Sequence, residues 1–132
     1  MTTPNTAQEN SKLSAMLSVR DGAKAIAFYQ AAFKAKILFS LTEGSVIAQM
    51  AIGEAEFWLA DESPEHQNFS PESLGGSTAR MVLVVDNPDD VFDRAVDAGG
   101  KVVWPVADQD YGWRIGRLAD PFGHHWEIGK PI

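Results

Sequence analysis

The 132-residue chain contains no cysteine. Disulfides, thiolate zinc sites, iron–sulfur clusters and a thiol nucleophile are therefore excluded. Positive charge is scarce: 11 Lys and Arg stand against 18 Asp and Glu, for a formal net charge of −7. Broad binding to nucleic acid or to an anionic membrane surface is disfavoured, because both need a basic face. Long apolar runs are missing as well. The most apolar unbroken stretch runs only from Met81 to Val85, whereas a membrane span needs roughly 20 residues. The N-terminus has no apolar signal core, so a cytoplasmic protein is expected. Gly75-Gly76 is not followed by a helix with Lys-Ser or Lys-Thr, which removes a P-loop, and no G-x-S-x-G nucleophile elbow occurs.

What remains is an ordinary globular composition, 45% apolar and 22% charged. A chain of this size buries roughly two-thirds of the surface its unfolded form exposes, enough for a core without a metal or disulfide staple. Residues 1–11 are polar and read as a flexible tail, and residues 12–132 as a single domain. From Asp61 to Thr78 the chain is rich in Ser, Pro, Glu and Gly and lacks Lys and Arg, the pattern of a long loop. This stretch sets a linker at 63–78 between module one, 13–62, and module two, 79–132.

The two modules repeat one pattern. In the first, Leu13 to Val19 alternates as a strand does, and Asp21 is a natural N-cap. Gly22 to Lys34 then carries Ile26, Tyr29, Ala32 and Phe33 at helical spacing. Three strands follow over 36–41, 45–52 and 55–60, with Gly44 and Gly53 at the turns. In the second, Arg80 to Val85 is the strand and Asn87 the cap, and Pro88 takes the first helical position, where its missing N–H costs nothing. Val91, Phe92, Ala95 and Val96 form the apolar face, Gly99 ends the helix, and strands are expected over 101–106, 113–119 and 124–128. The order β-α-β-β-β occurs twice, an α+β arrangement.

This double module, together with DPFGHHWEIG at 120–129, resembles the vicinal oxygen chelate superfamily, which contains glyoxalase I, bleomycin-resistance proteins and extradiol dioxygenases. VRDGAKAIAFYQAAF (19–33), SPESLGGS (70–77) and residues 91–129 resemble the first helix, linker and second module of its small bacterial, PhnB-like members. The resemblance implies two βαβββ modules forming a curved, open, barrel-like sheet, and a homodimer. It also implies a divalent ion, in the metal-dependent members, held by His, Glu, His and Glu from four strands. Counted from the caps and turns, those positions are Ser14, Trp58, Arg80 and Glu127 here. Of these only Glu127 is a plausible ligand: indole N–H donates only, and guanidinium is a permanent cation that repels a metal ion. The expectation is therefore no cofactor at the inherited position, with Arg80 paired to Glu127 instead.

His125 and Glu127 lie two apart on a strand and face the same way. They read either as adjacent ligands, or a base with its orienting carboxylate, or as a solvent-facing histidine beside a structural acid. With no third ligand in sight the last reading is preferred. His124 is expected to cap the turn. Trp58 offers a stacking surface, Trp126 reads as core or interface, and Trp113 with Arg114 reads as pocket rim. The acidic helix region of Asp86, Asp89, Asp90, Asp93 and Asp97 reads as a solvated face.

The resulting expectation is a small-molecule binding protein of the bleomycin-resistance type with a metal-free pocket built from Ser14, Trp58, Arg80, Trp113, Arg114 and Glu127. The alternative is an enzyme of the same superfamily, a lyase, isomerase or dioxygenase, with Glu127 as its catalytic or metal-binding residue and Glu56 or His125 recruited beside it.

Overall fold

The computed structural model describes residues 9–132. The expected tail falls largely on residues 1–8, outside the described residues. Two four-stranded mixed sheets form the protein. Strands β1 (Met16–Val19), β2 (Lys36–Leu41), β3 (Ile47–Ile52) and β4 (Ala55–Asp61) make sheet one, in the order β1-β4-β3-β2. Strands β5 (Arg80–Val84), β6 (Lys101–Asp108), β7 (Trp113–Ala119) and β8 (His125–Pro131) make sheet two, in the order β5-β8-β7-β6. In each sheet the first strand pairs in parallel with the fourth, and the other pairs are antiparallel. The sheets share no ladder, so the architecture is open and is not a closed barrel.

Helix α1 (Gly22–Phe33) follows β1, and helix α3 (Pro88–Asp97) follows β5. Asp21 accepts the Lys24 N–H at 3.1 Å, and Asn87 accepts that of Asp90 at 3.3 Å, so the two caps occupy equivalent places. Asp61 fastens the start of α1 by accepting from the backbone of Gly22 at 2.7 Å and of Val46 at 2.9 Å. Gly22 has to be glycine there, since a Cβ would stand 2.7 Å from the Val46 side chain. At the end of α3 the chain turns through Gly99 at φ 128, a conformation that side chains oppose.

The inner strands β4 and β8 alternate buried and open residues. Phe57, Leu59, Trp126 and Ile128 face the helices and are buried; Glu56, Trp58, His125 and Glu127 face the other way and are less buried. Helices α1 and α3 pack against each other, and the two buried faces merge into one core that includes Tyr29, Phe33, Phe57, Leu118, Phe122 and Trp126. Phe33 and Trp126 meet at 4.7 Å between ring centroids, joining the modules. Trp126 is therefore interior to a single copy and needs no cover from a second one.

Two local expectations are corrected. The linker is no simple loop: it contains a short 3-10 turn at Pro64–His66 and helix α2 (Pro71–Leu74). Glu62 orders it by accepting from the Ser70 backbone at 2.8 Å and the Ser73 hydroxyl at 2.9 Å. These bonds hold the Glu62 carboxyl below its usual range. The cap of the turn before β8 is Asp120: its Oδ1 accepts the backbone N–H of Phe122 and of His124, both at 2.9 Å. The His124 ring instead reaches across to the Ser18 carbonyl of β1, with Nε2 at 2.9 Å.

Candidate functional site

Register fixes which side chains meet on the open faces. In sheet one, Phe39, Gln49, Trp58 and Met16 form one cross-strand row. In sheet two the matching row is Trp104, Arg117, Glu127 and Val82. Trp58 and Glu127 thus hold equivalent positions, opposite Met16 and Val82, two residues beyond Ser14 and Arg80 respectively. Equivalence of position leaves the chemistry different: row one is mostly apolar and aromatic, and row two is charged at its centre.

That charge is a three-residue cluster. Arg80 Nε lies 2.5 Å from Glu127 Oε2. Arg117 donates to the same oxygen from Nη2 at 2.9 Å and from Nε at 3.2 Å. The Glu127 side chain is 13% exposed, Arg117 24% and Arg80 51%. The Arg117 guanidinium stands 5.6 Å from the centroid of the Trp104 ring, a cation–π arrangement. His125 lies opposite Arg80 in the ladder, and its Nδ1 is buried without a hydrogen-bond partner.

The other anticipated residues sit elsewhere. Ser14 is exposed, just ahead of β1. Trp58 packs beside Phe39, with ring centroids 6.1 Å apart. Trp58 therefore belongs to sheet one, with Ser14 just ahead of its first strand, while Arg80 and Glu127 belong to sheet two. A cleft of about 210 Å³ joins the two sheets, lined by Ala15, Glu56, Phe57, Arg80, Met81 and Trp126 among others, and it reaches neither Ser14 nor Trp58. Glu56 is held by Lys12 at 2.6 Å and Gln49 at 3.1 Å. Arg114 clamps Asp89 of α3 through Nε and Nη2, at 2.8 and 2.7 Å, and Asp108 of β6 through Nη1 at 2.9 Å. Those two carboxylates raise the Arg114 pKa further, and Arg114 in turn lowers that of Asp89. Trp113 is half-buried at the start of β7.

A metal ion does not fit this donor set. Among the described residues no three His, Asp or Glu side chains gather as a metal site requires. The one carboxylate in the row already answers two guanidiniums, and an incoming cation would meet both.

A family model of the Glyoxalase/Bleomycin resistance protein/Dioxygenase superfamily matches residues 13–128. The chain belongs to this superfamily. An uncharacterized protein of Mycobacterium bovis is 40% identical over 126 residues, covering 91% of this chain and 83% of that one. Among solved structures, a gene product of Arabidopsis thaliana aligns with a TM-score of 0.75 and 25% identity, over 92% of this chain and 100% of that one. The fosfomycin resistance protein FosX of Listeria monocytogenes, in a mutant form complexed with Mn(II) and a dihydroxypropylphosphonic acid, aligns with a TM-score of 0.71 and 18% identity. The alignment covers 94% of this chain and 93% of that one. At that identity the likeness is one of fold.

Arg117 escaped the sequence reading. It meets Glu127 across the regular β7–β8 pair, on a strand that carries none of the four ligand-equivalent positions, so counting those positions passes it by. Its alternation with Leu118 on a strand is the signal that places it on the open face.

Proposed function

We propose that this chain is a small-molecule binding protein whose pocket lies on the open sheet faces and works without a metal ion. One observation carries the reading: Glu127, the only acid among the four ligand-equivalent positions, is occupied by Arg80 and Arg117. A carboxylate committed to two guanidiniums is a poor Lewis-acid anchor and a good fixed element of a binding surface. The faces around it expose Phe39, Val82 and Val84, apolar area that a ligand or a second copy would cover. We place the protein in the cytoplasm and expect it to act as a homodimer.

The test is metal titration and elemental analysis of the purified protein. Manganese, zinc or nickel should bind at well below one ion per chain, with no difference between the native chain and Glu127→Ala. About one ion per chain, lost in Glu127→Ala, would overturn the proposal and make the chain a metal-dependent enzyme.

A further inference from the structure

From the arrangement around Glu127 we infer that the ligand is an organic oxyanion, a carboxylate or phosphonate on a flat apolar body, seated against Arg80 and Arg117. This rests on the proposed pocket and goes on to name what the pocket takes. The charge count comes first. Two guanidiniums face one carboxylate, so the cluster carries one uncompensated positive charge, in a chain whose net charge is −7. Among the described residues no other carboxylate lies within ion-pair distance of either arginine.

Donor count points the same way. A guanidinium presents five N–H groups. Both arginines converge on one atom, Glu127 Oε2, with Nε of Arg80 and Nε and Nη2 of Arg117. The remaining N–H groups suit a second oxyanion, which matches the fork of a guanidinium. His125 stands opposite Arg80 in the ladder, its buried Nδ1 without a hydrogen-bond partner.

The surroundings supply the rest of the selectivity. Trp104 covers part of Arg117, and Val82 stands opposite Glu127 in the ladder. Low polarity beside a partly covered guanidinium strengthens its attraction for an anion. An apolar ring attached to that anion would lie over Val82 and the edge of Trp104. A cationic ligand has no comparable seat, because Glu127 is engaged by two guanidiniums and Glu56, in the adjoining cleft, is held by Lys12 and Gln49.

The test is a titration followed through backbone amides of β7 and β8 and the Nε–H signals of Arg80 and Arg117. Three probes share one ring system: naphthoate, neutral naphthamide and naphthylmethylammonium. Naphthoate should shift these signals saturably and bind at least about tenfold more tightly than the cation. Arg80→Gln and Arg117→Gln should each weaken naphthoate by about tenfold or more. Glu127→Gln should tighten it, by removing the competing carboxylate. Arg80 is half exposed, so its variant decides the matter should Arg117→Gln fail to fold. If the cation binds these same residues as tightly as naphthoate, or if naphthoate is indifferent to Arg80→Gln, the ligand class is wrong while the pocket stands. If none of the three moves any of these signals, both readings fall.

Discussion

Asp120 is 4% exposed, yet its carboxylate accepts from Phe122 N, His124 N, Trp126 Nε1 and the Tyr29 hydroxyl. The last two donors come from the merged core, so one side chain closes the turn before β8 and fastens α1 of module one to module two. Burial first, then the nearby Asp120 charge, raises the Tyr29 pKa well above its ordinary value of about 10. The linkage sign follows from proton count. Below about pH 10 both folded and unfolded tyrosine are protonated, and the stabilisation is complete. As pH rises beyond that, the unfolded state releases its proton first, so stability falls until the folded value is reached. Tyr29→Phe should cost about 2 kcal/mol at neutral pH, the scale of a hydrogen bond to a charged group. It should also make the decline above pH 10 shallower. Urea unfolding of both proteins at pH 7 and above pH 10 checks this, and an equally steep alkaline decline in the variant would refute it. Sequence alone could not foresee the network. Tyr29 reads as one more apolar-face residue of a helix, and Asp120 as a turn residue, until the fold brings them together.

At the scale of elements, most of the architecture was legible because local chemistry and periodicity agreed. Asp21 and Asn87 mark helix starts, Gly99 marks a stop, and β2 and β7 occupy the ranges that alternation indicates. Because the family resemblance sets ligand positions at fixed distances from those caps and from the last turn, the pairing of Arg80 with Glu127 was within its reach. The linker helix was missed although its signals are local, with Ser70 accepting the Ser73 N–H at 3.2 Å, Pro71 at the first helical position and Gly75 at the end. A single four-residue turn among Ser, Glu and Gly reads as loop, and Glu62 adds its bonds to Ser70 and Ser73 only once the chain folds back. Arg114 was hidden for a similar reason. An arginine near an aromatic pair reads as pocket rim, whereas the fold points it at α3. Two predictions belong here. Asn87→Ala should destabilise the protein by about 1 kcal/mol, the usual worth of such a cap, measured by urea unfolding. Arg114→Gln should speed amide hydrogen exchange through α3 and leave binding of an anionic probe at Arg80 unchanged. Loss of probe binding without faster exchange would return Arg114 to the pocket.

At the scale of the whole molecule, the proposed pocket asks residues on two separate open faces to share one ligand. Within one copy, Ser14 and Trp58 lie with sheet one and Arg80 and Glu127 on sheet two, and the cleft between the sheets admits only Arg80 of the four. Both faces expose large apolar side chains: Phe39 is 44% exposed on sheet one and Val82 58% on sheet two. Row one is mostly apolar, and row two carries Trp104 and Val82 on either side of its charged pair, so sheet one of one copy can cover sheet two of another. A two-fold dimer built this way closes on itself and repeats the contact twice. We propose that it brings the sheet-one row of one copy against the Arg80–Glu127 cluster of the other and makes two equivalent sites. The chain should then sediment as a dimer at micromolar concentration, and Val82→Lys should yield a folded monomer, since it buries a third cation beside Arg80 and Arg117 with Glu127 alone to answer them. Complementation gives the sharper readout. Trp58→Ala and Arg80→Gln homodimers should both bind naphthoate weakly. After unfolding and refolding together, the mixed dimer should recover one intact site, made of Trp58 from one copy and Arg80 from the other. Recovery of tight binding in the mixture supports sites shared between copies. No recovery, from a mixture that demonstrably contains mixed dimers, would mean that each site is built within a single chain.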